Sequence, residues 1–345
     1  MKKVLLIDGS SILSTSYYGN LPFKILNLKT EEERAKEYHN LLQTKNGIYT
    51  NGVYTMLKSI FSMIRVYKPT HIAIAWDVTR NTFRRELYPL YKAHRDETPA
   101  PLKQQFGTSQ ELFDKIGFYQ VKNEKFEADD FLGSLAEKFK DEDGVRIGIW
   151  TKDTDTLQLI DDNVSILLRT SKASDLNEKY GLIRTDLPDN VFEVNIQNIE
   201  EEYGVNPEQI VDLKALIGDK SDNIPGIKGV GETSAIPLIK EYETIENLYD
   251  NIEGLDKKEE KDLKLFWKED LGIKKSPLNA LLKTSDTDLV GKESALLSKK
   301  LATIKRDIEL NINLDDLLIK INKEKGIKEL ETLGFKSLLS DFKSL

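Results

Sequence analysis

Acidic residues recur along this chain in short groups, each at the end of an apolar run or at the opening of a helical one. Asp8 follows Lys3-Val4-Leu5-Leu6-Ile7, Asp77 follows His71-Ile72-Ala73-Ile74-Ala75-Trp76, and Asp153 and Asp155 follow Val145-Arg146-Ile147-Gly148-Ile149-Trp150. Glu127, Asp129 and Asp130 open Glu-Ala-Asp-Asp-Phe-Leu-Gly-Ser-Leu-Ala, and Asp219 and Asp222 sit in Gly-Asp-Lys-Ser-Asp-Asn-Ile-Pro-Gly. Singly, each group has an ordinary explanation: an Asp after a strand caps the next helix, and acids in a first helical turn suit its dipole. Brought into one cleft, that many carboxylates repel each other unless cations neutralise them. The chain has no Cys, and its three His are scattered at His39, His71 and His94. The donors are therefore hard oxygens, which suit Mg²⁺ or Mn²⁺. Two such ions about 3.5–4 Å apart are the usual device for in-line phosphodiester hydrolysis.

Three β-branched runs must place these acids. Apolar at successive positions, they read as strands buried on both faces, which belong to parallel sheets. Val53, Leu57, Ile60 and Ile64 before the second run, and Phe131, Leu135 and Phe139 before the third, have helical spacing. Strand and helix alternate, so the first 160 or so residues predict an α/β layer fold. Parallel strands point one way, and the acids that follow them converge at one sheet edge, where such folds place ligands. Residues 22–50 read as an inserted excursion and 170–200, with Pro188, as a second irregular stretch. Lys257-Lys258-Glu259-Glu260-Lys261 reads as a solvated helix face.

A basic stretch follows Asp77. From 80 to 103 there are six basic and three acidic residues, a local excess of three in a chain whose total is 50 minus 58, or −8. Beside a metal cluster such a segment gives a phosphate somewhere to dock. Farther on, Ile224-Pro225-Gly226-Ile227-Lys228-Gly229-Val230-Gly231-Glu232 has glycines where a tight hairpin exposes backbone N–H groups ahead of a helix, a phosphate-binding arrangement that reads no base sequence.

The 345 residues suffice for one large domain or two intimately packed ones. Without Cys, disulfide scaffolds, thiolate metal sites and cysteine nucleophiles are excluded. Only four apolar residues, Val4 to Ile7, precede Asp8, too few for a signal peptide or a membrane span. A cytoplasmic protein, a monomer with no membrane partner, is the expectation.

Together these residues carry a resemblance. LLIDGSSIL, YKPTHIAIAWD, TFRRELYPLYKAHR, FEADDFLGSLA, TKDTDTLQL, LKALIGDKSDNIPGIKGVGETSA and LLSKKLATIK occur in order from residue 4 to about 305. The chain resembles the 5′-nuclease family, most closely the N-terminal 5′→3′ exonuclease domain of bacterial DNA polymerase I, with the flap endonucleases as more distant relatives. The resemblance implies a three-layer, PIN-like parallel-sheet core with a helical arch and a C-terminal helix-hairpin-helix subdomain. The divisions implied are a nuclease core over 1–200 with the arch at about 80–118, a DNA-binding subdomain over 201–315, and a helical segment over 316–345 that packs on the core. It places metal carboxylates on Asp8, Asp77, Glu127, Asp129, Asp130, Asp153, Asp155, Asp219 and Asp222, none substituted. Nine acids gathered around cations also reconcile the negative total with a DNA partner. Arg84, Lys92 and Arg95 match phosphate-contacting side chains, with Lys92 and Arg84 in catalytic roles. Gly226, Lys228, Gly229 and Gly231 match the duplex-gripping hairpin, where a monovalent cation is also expected.

In function the resemblance implies a free-standing, structure-specific 5′→3′ exonuclease and 5′-flap endonuclease using two Mg²⁺ or Mn²⁺ ions. Its substrates would be flaps, nicks and RNA-primed 5′ ends, in primer removal, replication and repair, with a DNA polymerase acting in trans. The full acidic set speaks against a catalytically silent branched-DNA-binding paralogue, and the hairpin against a small-substrate phosphohydrolase with Asp8 as nucleophile. One departure is plain: Ser14 and Thr15 stand where the polymerase I domains have an aromatic residue and an Arg.

Overall fold

The three apolar runs are strands, and they form the middle of a larger sheet. The computed structural model describes residues 1–182 and 185–345. Its six strands are β1 (Lys2–Asp8), β2 (His71–Asp77), β3 (Tyr119–Asn123), β4 (Val145–Thr151), β5 (Val164–Arg169) and β6 (Val191–Val194), in the spatial order β3-β2-β1-β4-β5-β6. All pairings are parallel except β5 with β6. In register, Leu6 lies between Ala73 and Ile149, so β1, β2 and β4 end together and deliver their acids to one edge.

Alternate residues of β1 enter two apolar layers, as a doubly covered strand requires. Leu5 and Ile7 pack with Ile12 and Leu13 of the Gly9–Tyr18 helix, with Val53, Leu57, Ile60 and Phe61 of the Asn51–Tyr67 helix, and with Phe113 and Ile116 of the Ala100–Ile116 helix. Val4 and Leu6 pack on the other face with Phe131, Leu132 and Leu135 of the Ala128–Phe139 helix. That second layer is continuous with the C-terminal helices: Leu216, Leu238, Tyr249 and Trp267 belong to the same apolar cluster.

The excursion at 22–50 is partly ordered into short helices, Phe23–Leu26 and Glu31–Glu37, pinned by buried Ile25, Tyr38 and Leu41. The stretch at 170–200 departs from the irregular one expected. It contains the helix Ala173–Lys179 and the antiparallel edge strand β6, whose Val191 and Val194 are fully buried; residues 183 and 184 lie outside the described residues. Near the C-terminus, the helices Lys323–Thr332 and Leu339–Ser344 cover the first layer, with Phe342 packed near Phe61. Residues 257–261 open the helix Lys257–Glu269 and form a largely solvated face, as the charge pattern predicts, while Trp267 near its end is buried.

Candidate active site

At the shared sheet edge each acid is held by the element that delivers it. Asp8 caps the helix it precedes, accepting the Ser11 N–H at 2.9 Å, and accepts the Thr151 hydroxyl from the end of β4 at 2.8 Å. Only 4% exposed, its carboxyl is pushed up to about 7 by burial and by the neighbouring Asp77. Asp77 accepts the Ala128 N–H at 2.8 Å and donates its own N–H to the Ser10 hydroxyl at 2.8 Å, which ties β2 to the helices on both sides of it. Asp153 accepts the Asp155 N–H at 2.9 Å. The buried Asp129 Oδ1 has no hydrogen-bond partner, and burial together with Asp153, Asp8 and Asp77 raises this carboxyl well above its usual range.

A second set of acids is matched by cations. Lys92 Nζ lies 2.9 Å from Glu127 and 3.4 Å from Asp222, and Arg95 pairs with Asp222. Although burial works against ionisation of either partner, the pair wins: Glu127 is lowered and Lys92 raised. Tyr91 donates its hydroxyl to this group, 3.1 Å from both Glu127 and Asp222. Lys214 bridges Asp155 and Asp219. Burial and Asp153 push Asp155 up to about 7, whereas Asp219, despite partial burial, is drawn down to about 2 by Lys214 and by hydrogen bonds from Ser221.

Asp8, Asp77, Glu127, Asp129 and Asp153 face one cleft of about 780 Å³, together with Lys92 and Arg95. Among the described residues no three Asp, Glu or His groups close around a single point as they stand. The donor set nevertheless fits divalent cations. All donors are oxygens, one buried oxygen lacks a partner, and burial together with neighbouring carboxylates raises Asp8 and Asp129, a cost that a bound cation would relieve.

Residues 3–181 match the model of the 5'-3' exonuclease N-terminal resolvase-like domain, and residues 205–325 that of the 5'-3' exonuclease C-terminal SAM fold. A 5'-3' exonuclease of Halalkalibacterium halodurans is 34% identical over 340 residues, covering 98% of this chain and 95% of the relative. This chain belongs to the 5'-3' exonuclease family. The enzyme is thus a nuclease, a hydrolase of the kind its acidic edge predicts. DNA polymerase I of Bacillus caldotenax is 33% identical over 99% of this chain, which spans 32% of that relative's length. In fold the exonuclease is similar to the T5 D15 protein co-crystallised with metal ions, with a TM-score of 0.56 at 18% identity, covering 99% of this chain and 97% of the other.

Three of the expected site positions of this exonuclease are engaged inside the protein. Arg84 is 3% exposed, and its guanidinium makes a two-pronged ion pair with Asp130, 2.7 Å on each side, while Nε and Nη2 also donate to the carbonyls of Leu301 and Thr303. Asp130, fully buried, additionally accepts the N–H groups of Glu127 and Lys305. Neither side chain lines the cleft: the pair joins the 128–139 helix to the C-terminal region, behind Glu127, which Arg84 also approaches at 3.6 Å. Gly226 is the third. Its φ is +57°, a Cβ there would stand 2.2 Å from the Gly218 nitrogen, and its N–H and C=O are bound by Ser298 and Ser294. It is needed for close packing inside the hairpin.

Gly229, with φ of +93°, and Gly231, ahead of the Glu232–Tyr242 helix, have open space where a Cβ would be, and Lys228 beside them is exposed. The hairpin begins at the Asp219–Ile224 bridge and is clamped to the basic segment. Lys92, in the left-handed region at φ of 53°, donates its N–H to the Asp222 carbonyl at 2.9 Å, and Asn223, at 58°, donates its side chain to the Leu90 carbonyl at 2.7 Å. Lys214, Tyr91 and Thr151 escaped the sequence reading. Only Lys214 carried a signal, the single cation on the short helix Ile210–Ile217, five residues before Asp219. Ser14 lines the cleft.

Proposed function

We propose that this chain is a Mg²⁺- or Mn²⁺-dependent 5′→3′ nuclease that cuts flapped, nicked and RNA-primed 5′ ends by a two-metal-ion mechanism. The observation that carries the reading is the cleft itself: Asp8, Asp77, Glu127, Asp129 and Asp153 gathered from four chain segments at one sheet edge, beside a hairpin with open glycines. Asp155, Asp219 and Asp222 stand behind the first five, and exchange of Lys214, Lys92 and Arg95 for bound cations would free them as ligands. When bound, the cations supply Lewis-acid neutralisation of the phosphate and an activated water nucleophile. Glu127 would be among the residues holding a cation, and Lys92, now paired with it, would then be free to stabilise charge on the scissile phosphate, with Arg95 to dock it. Gly229, Gly231 and Lys228 hold the duplex backbone by contacts that ignore base identity, with a monovalent cation completing the hairpin. In this reading residues 1–200 cut, 201–315 grip duplex and 316–345 buttress the core. The identity shared with a DNA polymerase I supports action beside a polymerase in trans.

The test is a 5′-flapped duplex incubated with and without Mg²⁺. Cleavage with Mg²⁺ that stops in excess EDTA is expected. Cleavage that persists in EDTA would refute the metal mechanism, and none under either condition would refute the activity.

A further inference from the structure

The cleft extends beyond the acids into a region that the proposed chemistry leaves unused. Following the strand order, it runs from Asp153 after β4, past Asp8 and Asp77, to Lys122 on β3, where Lys103, Phe106 and Gln110 of the Ala100–Ile116 helix complete the wall. The charges at the two ends differ in how they are matched. Lys92 and Arg95 have carboxylate partners, and Arg80 donates to the carbonyls of Arg95 and Asp96. Among the described residues the Lys103 ammonium forms neither an ion pair nor a hydrogen bond, and Lys122 is bound only by the neutral amide of Gln110. Glu97 is the single lining carboxylate outside the acidic set. Between the lysines Phe106 is fixed by an edge-to-face contact with the buried Trp76, centroids 6.1 Å apart, and Trp76 donates to Gln120 at 2.7 Å. Gln120 in turn donates to the Gln110 carbonyl at 2.9 Å, so the wall is preorganised.

From this geometry, and resting on the nuclease reading above, we infer that Lys103, Lys122 and Phe106 form a subsite for the 5′-terminal nucleotide of the strand being cut, the lysines binding its terminal phosphate. The polarity follows from the sheet. The hairpin meets the acids through Lys214 between Asp155 and Asp219 after β4, and through Lys92 and Arg95 at Asp222 after β2; none of these contacts involves β3 or the Ala100–Ile116 helix. Duplex held there leaves the far side, at β3 and that helix, for the nucleotide 5′ to the scissile bond. A cleft of about 780 Å³ is of the size that encloses one nucleotide-sized ligand. Two unmatched ammonium groups suit a dianionic terminal phosphate better than a neutral hydroxyl, and the aromatic wall gives the sugar or base an apolar face. The subsite therefore confers preference for 5′-phosphorylated ends, and so for ends that have already been cut once.

The experiment compares two nicked duplexes that differ only in a 5′-phosphate or a 5′-hydroxyl at the nick. In Mg²⁺ the wild-type protein should cut the phosphorylated end about tenfold faster in kcat/KM, the effect of two exposed ion contacts near the top of their usual range. In the Lys103→Ala/Lys122→Ala protein the ratio of the two rates should fall to near one, and in Lys103→Glu it should drop at least severalfold. A wild-type ratio near one, or a double variant whose two rates fall together with the ratio preserved, would overturn the subsite. Anisotropy of the same two labelled duplexes in EDTA reads it without cleavage: the phosphorylated end should bind more tightly to wild type only. A protein that cuts neither end yet shows that binding difference refutes the nuclease reading and keeps the subsite. Equal binding of both ends by a protein that cuts does the reverse.

Discussion

Removing Arg84 separates a scaffold from a phosphate contact. Its guanidinium forms the two-pronged pair with Asp130 inside the protein, with 4% and 0% of the two side chains exposed, and also donates to two carbonyls. Arg84→Ala leaves a buried carboxylate without its partner, which costs about 3–5 kcal/mol, and the loss of donors to Leu301 and Thr303 favours the upper end of that range. At about 2.1 cal/mol/K per residue, 345 residues give an unfolding entropy of ~0.7 kcal/mol/K, so Tm should fall by roughly 4–7 °C. Asp130→Ala should cost a similar amount. The double variant should lose less than the sum, with a coupling of about 2 kcal/mol in a double-mutant cycle followed by calorimetry. Asp130→Asn, assayed well below its Tm, should keep flap cleavage within severalfold of wild type, because this carboxylate faces away from the cleft. If Arg84→Ala kept the wild-type Tm and lost cleavage by orders of magnitude, the structural role would be wrong and Arg84 would be a phosphate ligand after all.

Other outcomes rest on the same geometry. Asp153→Asn should lower single-turnover cleavage by orders of magnitude while flap binding, measured by anisotropy, largely survives, since affinity comes from backbone contacts elsewhere; wild-type rates would exclude it as a metal ligand. Lys92→Ala should slow the single-turnover step far more than it raises Kd, and a change in Kd alone would reduce Lys92 to a docking residue. Replacing Gly231, which has extended backbone and open space where a Cβ would be, with Val should weaken binding to flapped duplex with a shallower salt dependence and affect single-stranded 5′ ends much less. Equal losses on both substrates would make the hairpin an ordinary turn.

The centre of the fold is legible because β1, β2 and β4 are buried on both faces and their side chains leave an unbroken apolar run. The edges are harder to read. β3 has four half-buried or exposed residues in five, and β6 is four residues long with Glu193 among them, so neither carries an apolar run of useful length. The acids were legible by type, but their directions were not. Asp129 and Asp130 are adjacent on a helix, and about 100° of rotation separates their side chains, so one meets the cleft and the other meets Arg84 on the opposite side. Likewise the spacing of Gly226, Gly229 and Gly231 announces a hairpin without telling which glycine is pressed against Gly218 and which stand open. Those distinctions come from partners 46 to 217 positions away, such as Arg84 for Asp130, Ser298 for Gly226 and Leu301 for Arg84, that no local pattern can name.

The unbroken apolar layer from Val4 and Leu6 through Leu216 to Trp267 makes the protein a ruler. Hairpin and acidic edge are two marks on one stiff bar, joined by close-packed side chains that resist small displacements. On the proposed function, a duplex seated on the first mark would present the same bond to the second on every encounter, and the spread of product lengths on a fixed flap would report the stiffness of the bar. Truncating Leu216 to Ala, which opens a hole in the middle of that layer, should broaden the band pattern on a sequencing gel; a single unshifted band would show that the spacing is set elsewhere.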